Sequence, residues 1–305
     1  LKTPAQVTGE LDAVYSCGWR GSVFVVDDNF IGNKAGVKEI LAAIAVWMKG
    51  KKQPFTFYTE ASIDLADEEE LLELMQKANF NSVFVGIETP EAESLMSCGK
   101  LQNIGKNLEE KVRILQRNGL QVQGGFIVGF DTDTAATFDN IIKFIQKSGI
   151  VTAMVGLLSA LPETALYKRL RTTGRILKIP TGDNTDFTLN FIPVMNKDAL
   201  VRGYKKVLES IFNPENYYKR IITFLKEYRQ FAKETRMSFG AAVKAFLKAV
   251  WKLGVRENGR GHFWKMFLWA FFRKPRLLPE AITLAVYGYH YRVVMARSYG
   301  NLRAE

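Results

Sequence analysis

Five apolar runs punctuate the first half of the chain: SVFVV (22–26), FTFYT (55–59), SVFVGI (82–87), VQGGFIVGF (122–130) and TAMVGLL (152–158). They are rich in Val, Phe and Ile and lack clean alternation, which predicts parallel strands covered on both faces. Between them, apolar residues recur at helical spacing over 35–49, 67–78, 105–118 and 134–148, with a fifth helix expected near 163–172. Gly119 and Gly149 are expected helix stops. Upstream, Thr3 and Pro4 read as an N-cap and first helical residue. Successive strands begin about 30–40 residues apart, the size of a βαβ unit. From residue 200 onward the pattern is helical throughout.

The fold class predicted is α/β: a partial (β/α)6 TIM-like barrel lacking its first strand, over residues 1–190, followed by an all-helical C-terminal domain over 191–305. A doubly wound open sheet is the alternative. The opening helix has no strand before it, so the chain is expected to be the C-terminal portion of a longer protein.

In parallel α/β folds the reactive groups lie beyond the carboxyl ends of the strands. Here those ends carry Asp27, Asp28 and Asn29; Glu60; Glu88 and Thr89; Gly124 and Gly125 early in the fourth run with Asp131 at its end; and Leu161 after the fifth. Clustered carboxylates there can accept hydrogen bonds from an ammonium or from ribose hydroxyls, or hold a cation. The competing expectation for each Asp is a helix cap.

Charge divides the chain. Residues 1–200 hold 21 Lys/Arg and 24 Asp/Glu, whereas residues 201–305 hold 21 and 7. The segment KMFLWAFFRKPR within the basic half reads either as a packed helix with snorkelling cations or as a stretch lying on an anionic membrane. No nucleic-acid partner is expected, because no groove-reading motif accompanies the charge. The two cysteines, Cys17 and Cys98, exclude a disulfide scaffold and point to a reducing, cytoplasmic setting, with the basic half the feature that would associate it with a membrane. Cys17 is expected to be a buried thiol. His262 and His290 stand alone, so no metal ligands are assigned.

The segments VVDDNF, FYTEASIDLA, VFVGIETP, GGFIVGFDTDT and AMVGLLSALPET, in this order and spacing, resemble the radical S-adenosylmethionine (SAM) enzymes. The subgroup is the one with an N-terminal cobalamin-binding domain and a helical C-terminal domain. The resemblance implies a cobalamin-dependent methyltransferase that generates a 5′-deoxyadenosyl radical and transfers a methyl group to an unactivated carbon. Its implied cofactors are SAM, a 4Fe-4S cluster and cobalamin. Its implied partners are a small-molecule or lipid substrate and an electron donor such as flavodoxin or ferredoxin. It implies that Asp27, Asp28 and Asn29 face the methionyl ammonium of SAM, that Glu60 and Glu88 lie at acidic positions facing SAM with Thr89 also among the cofactor-binding residues, that Gly124 and Gly125 lie beneath the adenosyl group, and that the Leu161 backbone lies near the adenine. Glu163 stands where the family's Leu-Pro-Gly-Thr has glycine. The family's cluster-binding cysteine triplet is absent, so this chain by itself is expected to be inactive. Two further readings remain: a metal-dependent barrel enzyme using the rim carboxylates, and a non-catalytic membrane-surface binding module.

Overall fold

The computed structural model describes residues 2–97, 99–100, 103, 107–179, 189–232 and 239–302. Five parallel strands form one sheet in the sequential order β1 (Gly21–Val25), β2 (Phe55–Glu60), β3 (Phe80–Glu88), β4 (Gln121–Val128) and β5 (Thr152–Leu157). The order never reverses, so the sheet curls as a half-barrel and has no switch point of the doubly wound kind. All five carboxyl ends therefore share one edge.

The helices of this half are α1 (Pro4–Ser16), α2 (Lys34–Gly50), α3 (Glu69–Lys77), α4 (Ala92–Ser97), α5 (Leu108–Arg117), α6 (Ala135–Ser148) and α7 (Ala165–Thr172). Thr3 caps α1 in a capping box with Gln6. Gly119 and Gly149 take left-handed φ of 83° and 73° where α5 and α6 end. The expected 67–78 helix begins instead as a 3-10 turn, Ile63–Asp67, before α3. The six-residue α4 has no counterpart in the sequence reading, because so short a segment shows no measurable period.

The strands are covered on one face only. Val83, Val85, Val122 and Val128 pack fully buried against α2, α3, α5 and α6 through residues such as Leu41, Ile44, Leu71 and Val112. The opposite face carries Phe24, Tyr58, Phe84, Gly86, Gly125 and Met154, aligned by register. Its edge is open: Phe24, stacked on Tyr58 at 4.7 Å, and Met154 are exposed. The expectation of strands buried on both faces thus fails: one face of the sheet looks onto an uncovered concavity, most openly at the edge strands β1 and β5.

The second half consists of α8 (Lys197–Phe212), α9 (Pro214–Glu227), α10 (Phe239–Trp251), α11 (Arg260–Arg273) and α12 (Leu278–Leu302). It docks on the helix-covered side. Tyr204 of α8 donates to the Val155 carbonyl at 3.1 Å. The α9 backbone passes so close to Gly149 that a Cβ there would lie 3.0 Å from the Phe224 nitrogen. Arg220 of α9 is fully buried and donates to Gln146 Oε1, to the Val151 carbonyl and to the Ile211 carbonyl at the end of α8. The two halves are thereby joined through a hydrogen-bonded cation rather than by apolar packing alone.

Candidate functional site at the carboxyl rim

The turn after β1 folds on its own polar groups. Asp27 Oδ1 accepts from the Asn29 N–H at 2.9 Å, and Asn29 Oδ1 accepts from Ser62 N–H at 3.0 Å. The Phe30 N–H donates to the Glu60 carbonyl at 2.9 Å. Asn29 is therefore a stitch between the β1 and β2 ends, and its own carbonyl takes the Gly32 N–H. Among the described residues no donor takes the carbonyl oxygens of Asp27 or Asp28. Neither Asp caps a helix: that task falls to Asn33, which accepts from Gly36 N–H at the start of α2.

Glu60 and Glu88 are the last residues of β2 and β3. Both stand on the uncovered face, since Glu60 pairs in register with Phe84, two residues before Gly86 and four before Glu88. Glu88 adopts a left-handed φ of 65° at an irregularity in the β3–β4 ladder. A non-glycine residue held there stores of order 1 kcal/mol of strain. The carboxylate folds back over Gly86, where an added Cβ would sit 2.7 Å from its Oε1. Lys100 Nζ reaches the same oxygen at 3.2 Å, so a cation already rests against Glu88. Thr89 is fully buried, and its Oγ1 accepts from Glu91 N–H at 3.2 Å; it shapes the turn and does not face the opening.

The two glycines of β4 face opposite ways. Gly125 lies on the open face beneath the Phe84 ring, 2.8 Å from where its Cβ would be. Gly124 faces the helix layer against Ile150 and serves packing. Leu161 is exposed on the loop after β5. The backbone just before it is clamped by Asn190, a residue that sequence reasoning missed. Its Oδ1 accepts from Ala160 N–H at 2.9 Å and its Nδ2 donates to the Ala160 carbonyl at 2.8 Å. Only the fold joins these positions, thirty residues apart, so no spacing signal could have found Asn190. Lys100 was missed for the same reason.

Asp131, the expected acid of β4, is taken by Arg175 at 2.7 and 3.1 Å, with Arg169 at 3.4 Å. The Arg175 hydrogen bonds hold its carboxyl below the usual carboxylate range. It anchors the segment that leads to Asn190 and offers nothing to a ligand. The neighbouring Asp133 is buried and accepts from Gly129 N–H at 2.7 Å and Phe130 N–H at 3.1 Å, while burial pushes its carboxyl up. Cys17, expected buried, is exposed at the end of α1 because it follows the helix's last turn. Cys98 lies outside the described residues.

Glu163 also has left-handed φ, 67°, at the position where the motif's usual residue is glycine. Its loop keeps the shape a glycine would give and bears the strain itself. Its exposed pairing with Lys168 at 3.5 Å offsets little. Glu163→Gly is expected to raise stability by about 0.5–1 kcal/mol, read as a higher thermal midpoint, while Glu163→Ala gains nothing. Equal midpoints for Gly and Ala would show that the backbone is not strained there.

A hollow of about 260 Å³ between α6 and α8 is lined by Phe138, Met195, Ala199 and the stems of Arg202 and Lys206. It lies on the helix-covered side, and Lys206 is drawn off to Asp139 at 2.6 Å. The rim, with its acids, free carbonyls and glycine floor, is the better binding frame.

Fold and rim together define a half-barrel α/β protein whose open carboxyl edge is the candidate ligand site. Comparison with known proteins supports the fold. The chain is 37% identical over 311 residues to an uncharacterized methyltransferase of Synechocystis sp., covering 98% of this chain and 57% of that protein. It is 33% identical over 304 residues to the hopanoid C-2 methylase of Rhodopseudomonas palustris, covering 97% of this chain and 56% of that protein. Residues 164–301 match the domain of unknown function DUF4070. That match starts just after β5, upstream of the boundary expected near 190. The structure of the radical S-adenosylmethionine methyltransferase TsrM from Kitasatospora setae, with tryptophan substrate and a SAM analogue bound, shares the fold. The TM-score is 0.54 at 16% identity, over 87% of this chain and 56% of that one. The same protein with cobalamin and a 4Fe-4S cluster bound gives 0.52 at 15% identity, over 87% and 54%. The chain belongs with the Synechocystis and Rhodopseudomonas methyltransferases, to which it is similar over nearly its whole length; it carries the DUF4070 region and has the fold of a radical SAM methyltransferase. It spans a little over half the length of the curated relatives named above.

Proposed function

We propose that this chain is the SAM-binding half-barrel and helical C-terminal portion of a cobalamin-dependent radical SAM methyltransferase acting on a small-molecule or lipid substrate. The observation that carries the reading is the Glu88 carboxylate, held by a left-handed backbone over Gly86 on the uncovered face. Its partner, Lys100 Nζ, is a cation that a ligand ammonium can replace. The free carbonyls of Asp27 and Asp28 are further acceptors for an ammonium. Glu60 offers a carboxylate to ribose hydroxyls, and Asn190 fixes the backbone beside Leu161 against which a base can lie.

When bound, SAM supplies the carbon–sulfur bond whose reductive cleavage yields the radical, and cobalamin the methyl group that is transferred. The residues of this chain bind and orient SAM and keep water from its reacting end. They do not fit an iron–sulfur cluster. Two cysteines cannot make the three-thiolate set, and among the described residues no three His, Cys, Asp or Glu side chains converge as ligands. The same observation leaves the metal-dependent barrel enzyme without support. No residue here is assigned to cobalamin or to the electron donor.

Isothermal titration of the chain with SAM tests the pocket. SAM is expected to bind, and Glu88→Ala to weaken it about tenfold, or about 1.4 kcal/mol. Equal affinities for the two proteins would remove Glu88 from the site and the reading with it.

A further inference from the structure

The apolar surface left uncovered outside the rim is concentrated in two helices. In α10 every described side chain from Gly240 to Lys248 is exposed. Yet Val243, Phe246, Leu247, Val250 and Trp251 recur at helical spacing as an apolar stripe, with Leu247 and Trp251 each 60% exposed. In α11 one side is buried through Phe263, Met266 and Ala270, while Trp264, Leu268, Phe271 and Phe272 form a second stripe in solvent. Ring contacts make the two continuous: Phe246 meets Phe267 at 6.2 Å, and Phe267 meets Trp264 at 5.3 Å and Phe271 at 6.3 Å. Water gains nothing from such a surface, and a folded chain rarely leaves one without a partner.

Charge selects the partner. From residue 239 to 277 the chain holds nine Lys and Arg against Glu257 alone. Lys244 and Lys248 stand one turn apart along the border of the α10 stripe, both exposed, whereas Lys252 in the next turn is engaged by Glu257 and the Tyr289 ring. A second copy of this chain would bring the same positive charge to the contact and be repelled. Nucleic acid would meet the charge but leave the apolar stripes in water. An anionic bilayer answers both, with aromatic and aliphatic side chains entering the headgroup boundary and the lysines meeting lipid phosphates. No helix among the described residues is long and apolar enough to cross a membrane, so such a contact lies in the interface plane.

We propose that the exposed face of α10 and α11 is a docking surface for an anionic phospholipid bilayer. It is separate from the carboxyl rim, and its test does not depend on SAM binding. The 305-residue chain is mixed with vesicles of phosphatidylcholine, or of phosphatidylcholine with about 30 mol% phosphatidylglycerol, and floated on a density gradient. The expected result is partition onto the anionic vesicles about tenfold or more stronger than onto the neutral ones, weakened by raising salt from about 0.1 to 0.5 M. Leu247→Asp and the pair Lys244→Glu with Lys248→Glu each reduce it about tenfold, with thermal midpoints shifted by no more than about 2 °C because these side chains are exposed. Equal partition onto both vesicle types overturns the proposal, as does undiminished binding by Leu247→Asp. Dimerisation or duplex-DNA binding in the absence of vesicle binding overturns it in favour of those partners.

Discussion

Replacing Arg220 with alanine is expected to cost about 3 kcal/mol and lower the thermal midpoint by about 5–10 °C. The guanidinium is fully buried with no carboxylate beside it among the described residues, and burial pushes its pKa down to about 10. What holds it are neutral acceptors from three places: Gln146 of α6, the Val151 carbonyl before β5, and the Ile211 carbonyl at the end of α8. The Tyr217 ring lies 5.1 Å from the guanidinium carbon. Alanine would leave these acceptors without donors and open a side-chain-sized void, and each effect costs more than relief from the buried charge returns. Arg220→Met keeps most of the volume and should fall between wild type and alanine. A thermal melt showing Arg220→Ala within about 1 °C of wild type would mean that the helical half is not keyed to the barrel through this residue.

The second large effect is expected at the rim and should leave the fold intact. In Gly86→Ala the new Cβ would lie 2.7 Å from Glu88 Oε1 and 3.2 Å from Lys100 Nζ. Both are the ends of flexible side chains, so the sheet need not move, but the carboxylate must. SAM affinity measured by titration is expected to drop about tenfold, with the thermal midpoint shifted by no more than about 2 °C. Because the two positions act through one contact, Gly86→Ala combined with Glu88→Ala should bind no more weakly than either alone. Additive losses would show that Gly86 serves some other purpose. The physical content of the Gly-Ile-Glu segment is then plain. The carboxylate two residues on shares a face with the glycine and curls back over it, and only a residue without a side chain leaves room.

Several features were legible before any coordinates. Each of the five strands was placed from its apolar run, since a strand packed against helices must be hydrophobic along most of its length. Most helix bounds followed from apolar spacing and from caps and stops, as at Thr3 and Gly149. The positions of Asp27, Asp28, Glu60 and Glu88 at one edge followed from the single rule that parallel strands end together. What burial does was less legible. The Val23 to Val26 run has the composition of a covered strand, but β1 is the edge of an open concavity, and composition cannot tell an inner surface that awaits a ligand from a core.

The sequence by itself determined the α/β alternation, the all-helical basic half and the edge on which the acids gather, because these depend on residue type and on short-range period. Only the tertiary structure decided which acids remain free. Asp131 is consumed by Arg175, 44 positions away, whereas Glu88 is left facing the open side against Lys100. It also decided that Asn190 holds the Ala160 backbone, that Gly124 packs while Gly125 faces the site, and that Leu247 and Trp251 on α10 stay largely in solvent. Each of these is a pairing between distant segments, and which groups pair is set by the approach of whole elements, a quantity that no local pattern encodes.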